Sequence, residues 1–260
     1  FNSDNCKYTT LKRSTLVNFL KKDLEDLIKT DYNISKINQI DKQIRLSFEN
    51  NEIDEFDYLI ISDGVFSKSK SLISNNQNKP KYNDTLAIRG VLSKPPENID
   101  NKNISLFLGS DFHHVTYPIN SNGALNLIAI MKYKLSTEEQ KNYFLSNDNF
   151  FVKKVLKKIP LENKEFFENL EELKVYPVFV SDNFYKIQNN NIHLIGDAFF
   201  AFPPSFAQGA SQSIEGAYEL FRSIENNKES YFFKSRVNKT KIVNIRSKLN
   251  QLVFHLSNPV

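Results

Sequence analysis

The apolar positions of this chain change period several times, and each change marks an element. Leu16, Leu20, Leu24, Leu27 and Ile28 recur at helical spacing behind Ser14, which predicts a helix capped by Ser14 and running to about Lys29. Residues 33–40 and 43–48 alternate as half-buried strands do, and Asn50 and Asn51 predict a tight turn after them. Residues 57–62, DYLIIS, are a continuous apolar run of the buried parallel type that ends at Asp63 and Gly64. Between residues 82 and 179 the runs LAIRGVL, NISLFLG, HHVTYPI and ALNLIAIM read as an antiparallel or mixed sheet, with the plainest hairpin turn at residues 120–123. Helices are expected over 137–145 and 150–159 and a strand over 175–180. The tail, 230–256, reads as a helix through Val237, Ile242, Ile245, Leu249, Leu252 and Val253.

The densest pattern is NIHLIGDAFFAFPPSFAQGASQSIEGAYEL, from Asn191 to Leu220. Ile192, Leu194 and Ile195 form a short strand stopped by Gly196, so Asp197 stands at a strand's carboxyl end, where open α/β sheets bind ligands. Pro203 and Pro204 fix φ and remove two amide donors, which predicts a stiff, extended loop as far as Gln208. From Gly209, the residues Ala210, Ile214, Ala217, Tyr218, Phe221 and Ile224 give a helix one apolar face. Its start, with free amides and no bulky side chain at Gly209, suits an anion.

Composition narrows the classes. A chain of 260 residues with 40% hydrophobic content can bury a sizeable core. The net charge of +4 is mild and the charges are mixed, so neither nucleic acid nor an anionic membrane is demanded. The cluster KKVLKK, Lys153 to Lys158, interrupts an apolar helical pattern and reads as a solvated face. The single cysteine, Cys6, rules out an internal disulfide and fits a cytoplasmic protein. The four histidines show no metal-ligand spacing, and no apolar run approaches a membrane span. Peripheral membrane association stays open. The chain begins at Phe1 and its first element reads as internal, which suggests an N-terminally truncated product.

The Asn191 to Leu220 segment resembles the second flavin motif of the FAD-dependent aromatic hydroxylases, the group of para-hydroxybenzoate, salicylate and ubiquinone-pathway hydroxylases. Gly196, Asp197, Ala198, Pro203, Pro204, Gln208, Gly209, Ala210, Gln212 and Glu215 carry the resemblance. Phe200 stands where the family has histidine, Ala207 where glycine is usual and Ser211 where asparagine is usual. Asp63, Gly64, Ser67 and Lys70 are similar to a second family signature, an Asp-Gly loop near the FAD pyrophosphate that is also linked to pyridine-nucleotide contact. Arg13 resembles the arginine of an Arg-x-x-Leu helix start that approaches the flavin. Arg89, Gly90, Gly109, His113, Tyr117 and Pro118 resemble the substrate sheet of the salicylate-hydroxylase side of the family.

The resemblance implies an α/β fold: a glutathione-reductase-like FAD/NAD(P)-binding domain lacking its first βαβ unit, interleaved with a mixed-sheet substrate domain. Its expected parts are residues 1–80 and 181–260 for the FAD domain and 81–180 for the substrate sheet. No Gly-x-Gly-x-x-Gly turn is present to hold the ADP pyrophosphate. The implied activity is that of a flavoprotein monooxygenase, an oxidoreductase in which NAD(P)H reduces FAD, molecular oxygen adds at C4a, and the hydroperoxide hydroxylates a small aromatic or phenolic substrate. Asp197 is assigned to the flavin ribitol, Gln208 and Gly209 to the pyrimidine edge through backbone groups, Pro204 to the loop wall, and Arg13, Asp63, Gly64, Gly196 and Ala210 to the remaining cofactor contacts. His113 or His114 is a candidate base toward a phenol and Tyr117 a candidate hydrogen-bond partner of the substrate, against the plainer reading of a half-exposed sheet histidine and a core-edge tyrosine. Alternatives are a related flavoprotein that reduces isoprenoid double bonds, and a non-catalytic fragment. The lack of tryptophan argues against a halogenase. The aromatic run Phe199, Phe200 and Phe202 suits a hydrophobic quinone precursor or packing at a domain interface, the second being the plainer expectation.

Overall fold

A computed structural model of the chain describes residues 10–73, 79–96, 99–119, 123–142, 145–187 and 191–256. In chain order they form α1 (Arg13–Lys21), β1 (Ile34–Ile40), β2 (Gln43–Phe48), β3 (Ile53–Phe56), β4 (Leu59–Ile61), α2 (Lys68–Ile73), β5 (Lys81–Leu92), β6 (Ser105–Gly109), β7 (Phe112–Pro118), β8 (Leu125–Lys132) and α3 (Thr137–Lys141). There follow α4 (Asn149–Leu156), α5 (Lys164–Glu168), β9 (Glu171–Val180), β10 (Ile192–Leu194), α6 (Gly196–Phe199), α7 (Gly209–Glu225) and α8 (Glu229–Phe254). Contacts group them into two units. The first comprises the described parts of Phe1–Ile28, Asp84–Val178 and Phe254–Val260; the second comprises those of Lys29–Asn83 and Phe179–Val253.

The helix expected from Ser14 to Lys29 stops at Lys21 and takes no side-chain cap, Ser14 lying inside it. Asp23, at φ 65°, turns the chain out of the helix. Leu20, Leu24, Leu27 and Ile28 are exposed, so the apolar spacing finds no surface to bury against, and spacing alone does not sustain a short helix.

The first unit is built on a sheet of order β6-β7-β8-β5-β9, in which β6, β7, β8 and β5 pair antiparallel. The hairpin read at residues 120–123 falls mostly outside the described residues; the flanking register sets Pro118 opposite Leu125. Gly90 is where β5 meets the start of β9, because a Cβ there would lie 2.9 Å from the Leu170 side chain and 3.0 Å from the Glu171 carbonyl. Two of the helices have explicit starts. Ser136 and Glu139 form a capping box on α3, and Asp148 accepts the Phe150 and Phe151 amides at α4. Lys153, Lys154, Lys157 and Lys158 are exposed, the solvated face the sequence predicts.

Neither sheet histidine is half-exposed, as the sequence reading has it: His113 is 3% and His114 0% exposed. They point to opposite faces of β7, and both faces are covered. His114 stacks on Phe107 with ring centroids 4.2 Å apart and meets Phe166 at 4.6 Å. Among the described residues neither of its ring nitrogens has a hydrogen-bond partner. Burial pushes its pKa down to about 4. His113 Nδ1 lies 2.8 Å from His255 Nε2, and its ring packs edge-on to Phe254.

The second unit starts from β2, whose alternation turns Ile44, Leu46 and Phe48 inward while Arg45 pairs outward with Glu55. The antiparallel sheet β1-β2-β3 packs this face against Ile61, Ile192, Leu194 and Ala198–Phe200, the core of the unit. β4 and β10 are parallel, in register Leu59↔Ile192 to Ile61↔Leu194. The parallel assignment of residues 57–62 therefore holds, although Ile60 is exposed because the described sheet has only these two strands.

The loop expected to be extended from Gly196 to Gln208 instead begins with the turn of helix α6 and ends with a 3-10 turn over Pro204–Phe206. Phe199 and Phe200 are the cause: both are buried in the core of the second unit, Phe200 stacking on Phe184 at 4.4 Å. The 3-10 turn closes on Ala207 at φ 51° and ψ 30°, a left-handed position. The apolar stripe of α7 is not its buried side: Ala210, Ile214, Ala217, Tyr218 and Phe221 are exposed, and Gly216 and Leu220 are buried.

Two outcomes follow from this packing. Ala207→Gly relieves the left-handed strain and should raise stability by about 0.5–1 kcal/mol in urea unfolding. His114 is neutral in the fold down to about pH 4 and protonates near pH 6.5 once unfolded, so its contribution is complete above 6.5 and declines as pH falls. His114→Phe, which leaves no orphan nitrogen, should gain about 1 kcal/mol at pH 7 and flatten the acid limb of a urea-midpoint series.

Candidate functional site

Because β4 and β10 run in parallel and in register, the two turns that follow them leave the sheet at the same end. The Ile195 amide donates to the Ile61 carbonyl at 3.0 Å, closing the last rung before both turns. Gly64 (φ 86°) and Gly196 (φ 57°) have the left-handed backbone that lets each turn leave its strand. Asp63 is committed locally: its carboxylate accepts the Ser69 amide at 3.0 Å, while Ser67 Oγ accepts the Lys70 amide, so this loop holds the start of α2. Asp197 differs. Among the described residues its carboxylate accepts no hydrogen bond, and although it reaches solvent on one side, loss of hydration raises its pKa.

α7 starts at Gly209 without a side-chain cap and without an acidic residue in its first turn. A Cβ at Gly209 would meet nothing within 4 Å, so the amides of this first turn are approachable from outside. The helix is held from below by Arg236 of α8. This guanidinium, 5% exposed, donates to the Gln212 carbonyl at 2.5 Å and to Gln212 Oε1 at 2.8 Å, and pairs with Glu215 and Glu219. Gly216 makes room for it, since a Cβ there would lie 3.1 Å from Arg236 Nε. Lys239 joins the same two glutamates, and its ammonium and Arg236 hold the Glu215 carboxyl below its ordinary pKa.

Gly196, Asp197, Phe200, Gly209, Gln212 and Arg236 line a cleft with about 10 Å³ of free volume, the room of a single water. Beside the Asp63 loop a polar cavity of about 220 Å³ is lined by Val65, Lys70, Lys79, Ser181, Asp182 and Asn183. The Lys70 ammonium donates to the Ala198 carbonyl at 3.5 Å, and burial lowers its pKa while Asp63 opposes the shift.

Of the residues singled out in the sequence, Asp63, Gly64, Gly196, Asp197, Pro204, Gln208, Gly209 and Ala210 all belong to the second unit. Arg13, exposed at the start of α1, belongs to the first. So do His113 and Tyr117 on β7. His113 has its pKa pushed down to about 3, first by burial and then by His255 and His114, so it is a weak base near neutral pH. Sequence reasoning missed Arg236 and His255. The signal for Arg236 was the pair Glu215 and Glu219, one turn apart on α7, which need a cation from a facing helix.

Known proteins show the same architecture. The chain is similar to HpxO of Klebsiella pneumoniae, solved with FAD and uric acid, with a TM-score of 0.79 at 13% identity, covering 94% of this chain and 64% of that one. A salicylate hydroxylase substrate complex matches with a TM-score of 0.75 at 18% identity, over 95% of this chain and 67% of the other. These likenesses establish the α/β flavin-hydroxylase fold. In sequence, the chain is 22% identical over 205 residues to the chloroplastic zeaxanthin epoxidase of an Oncidium hybrid cultivar, covering 77% of this chain and 30% of the relative. It is 23% identical over 220 residues to the salicylate hydroxylase of Pseudomonas putida, covering 73% and 48%. The chain thus spans less than half the length of either curated relative. Residues 57–257 match the model of the squalene epoxidase family, and the chain belongs to that family of FAD-dependent monooxygenases.

Proposed function

We propose that the chain forms the flavin-contacting half of a monooxygenase that hydroxylates an aromatic or phenolic substrate with FAD, NAD(P)H and molecular oxygen. The observation that carries this reading is the pairing of two unmet groups at one sheet end: an Asp197 carboxylate that is exposed on one side, has a raised pKa and has no hydrogen-bond partner among the described residues, and an uncapped α7 start. They are complementary to a flavin, whose ribityl hydroxyls donate and whose pyrimidine edge accepts and, when reduced, is anionic. Gly64 and Gly209, where an added Cβ would meet nothing, leave the backbone open to close approach by a bulky ligand. The residues present fit the group.

In this reading Asp197 accepts from the ribityl chain, and the amides of Gly209 and Ala210 donate to the pyrimidine edge. Gln208 and Pro204 border the same edge. Arg236, by fixing Gln212, holds those amides in place, and such preorganised donors favour the charge that reduction brings. Lys70 and Lys79 give the neighbouring cavity two ammonium groups suited to the phosphates of FAD or NAD(P)H. FAD, once bound and reduced, supplies the oxygen activation that no side chain can. The family match supports a second acceptor, an isoprenoid alkene, whose epoxidation needs no base; the low basicity of His113 agrees with it.

The test is FAD titration of the chain, alone and extended at its N-terminus, followed by NADPH oxidation with phenolic acids and with isoprenoid alkenes. Flavin absorbance with phenol-stimulated oxidation and a hydroxylated product is the expected result. Stimulation by the alkenes alone would move the reading to epoxidation. No flavin binding in either form would overturn both. At Asp197, the raised pKa means that ionisation works against the ligand-free fold above that value. Asp197→Asn should therefore stabilise the ligand-free protein at pH 7, and the gain should vanish as pH falls and Asp197 protonates. It should also weaken FAD binding by about ten- to a hundredfold, the worth of a hydrogen bond to a charged group.

A further inference from the structure

Lys70 is held at both ends of its residue. Its amide donates to Ser67 Oγ at 3.0 Å, and its half-buried side chain runs to the Ala198 carbonyl, to which the amine donates at 3.5 Å. Along that side chain lies the polar cavity of about 220 Å³, where Val65 and Pro80 give apolar wall and Lys79, Ser181, Asp182 and Asn183 polar groups. All of these residues belong to the second unit.

Burial disfavours the ammonium form of Lys70, and although the Asp63 carboxylate opposes the shift, the pKa of the amine ends below its ordinary value. Lys154 and Lys239 move the other way, because hydrogen bonds to Glu139 and to Glu219 and Glu215 hold their protons. An amine attacks a carbonyl carbon through its free lone pair. A neutral amine that donates one N–H to Ala198 still has that pair to offer, so Lys70 combines a fixed direction with an accessible free-base form.

The rest of the cavity selects the reagent. Lys79, exposed, brings an ammonium to the same walls and Asn183 an amide, so an anionic oxygen group finds donors there. A molecule with a phosphoryl group at one end and an electrophilic acyl carbon at the other would set the first against Lys79 and the second against Lys70. An acyl phosphate has both in a small volume.

We propose that Lys70 is an acylation site, at which the cavity captures a small acyl phosphate by its phosphoryl group and the Lys70 amine takes the acyl group. The nitrogen lone pair attacks the acyl carbon, the bond from that carbon to the bridging oxygen breaks, inorganic phosphate leaves with the electron pair, and the nitrogen gives one proton to solvent. An Nε-acyl amide remains, and nothing is oxidised or reduced. The acylated side chain keeps one N–H for Ala198 but has no charge, so the cavity loses one of its two cations. This chemistry does not rest on the flavin reading, and its test uses neither FAD nor activity.

The full chain is incubated with acetyl phosphate, and acetylation of each lysine is followed by peptide mass spectrometry. Lys70 should react about tenfold faster than Lys154 and Lys239. Inorganic phosphate should slow Lys70 and leave those two unchanged. Lys79→Gln should slow the reaction of Lys70 with acetyl phosphate about two- to fivefold, the worth of one exposed ionic contact. The same variant should leave its reaction with phenyl acetate, which has no phosphoryl group, unchanged. Acetylation of Lys70 no faster than that of Lys154 and Lys239 would overturn the proposal. So would a fast reaction that neither inorganic phosphate nor Lys79→Gln slows, or an equal loss of the phenyl acetate reaction in that variant, which would make Lys79 a structural support and not the phosphoryl contact.

Discussion

Three ladder positions, Leu59 to Ile61 against Ile192 to Leu194, decide where chemistry can occur in this protein. The segments are more than a hundred residues apart in sequence, and because they pair in parallel their two turns emerge at one edge. An antiparallel pairing of the same residues would have sent the Asp63 and Asp197 turns to opposite ends. The pairing holds because Ile61, Ile192 and Leu194 are covered by the inward side chains of β2 and by Phe199 and Phe200. The core of the second unit is thus what brings the two loops together.

The two aspartates then divide the work. Asp63 spends its carboxylate on the start of α2 and makes its own loop rigid. Asp197 is left without a partner in a partly desolvated place, a cost to the fold that a ligand's hydroxyls would remove. α7 shows the same economy: Arg236 uses its donors on Gln212, Glu215 and Glu219, leaving the helix start uncapped but immobile. The ion cluster around the buried Arg236 fixes the position of the groups that stay unmet.

How much of this the sequence revealed depended on how local the cause was. β1 and β2, the strands of the five-stranded sheet and the start of α7 at Gly209 were legible, because alternation, glycine and proline act over a few residues. The end of α1 was not, since the leucines beyond Lys21 have the right spacing and nothing to pack on. Which sides of α7 and α8 are buried was not legible, for one shared reason. Apolar spacing identifies a stripe but not its direction, and here a buried arginine between two glutamates turned the polar sides inward. His113 and His114 looked like candidates for proton transfer until the second face of their sheet was seen to be covered too.

The Phe200 side chain, in the segment after Asp197, is gripped by Phe184 and the surrounding core. Aromatic burial of this kind is insensitive to ionic strength and weakens on cooling. The loop that carries Asp197 toward α7 is therefore anchored by a contact that holds across salt conditions and loosens in the cold, so its tightness follows temperature more than ionic strength.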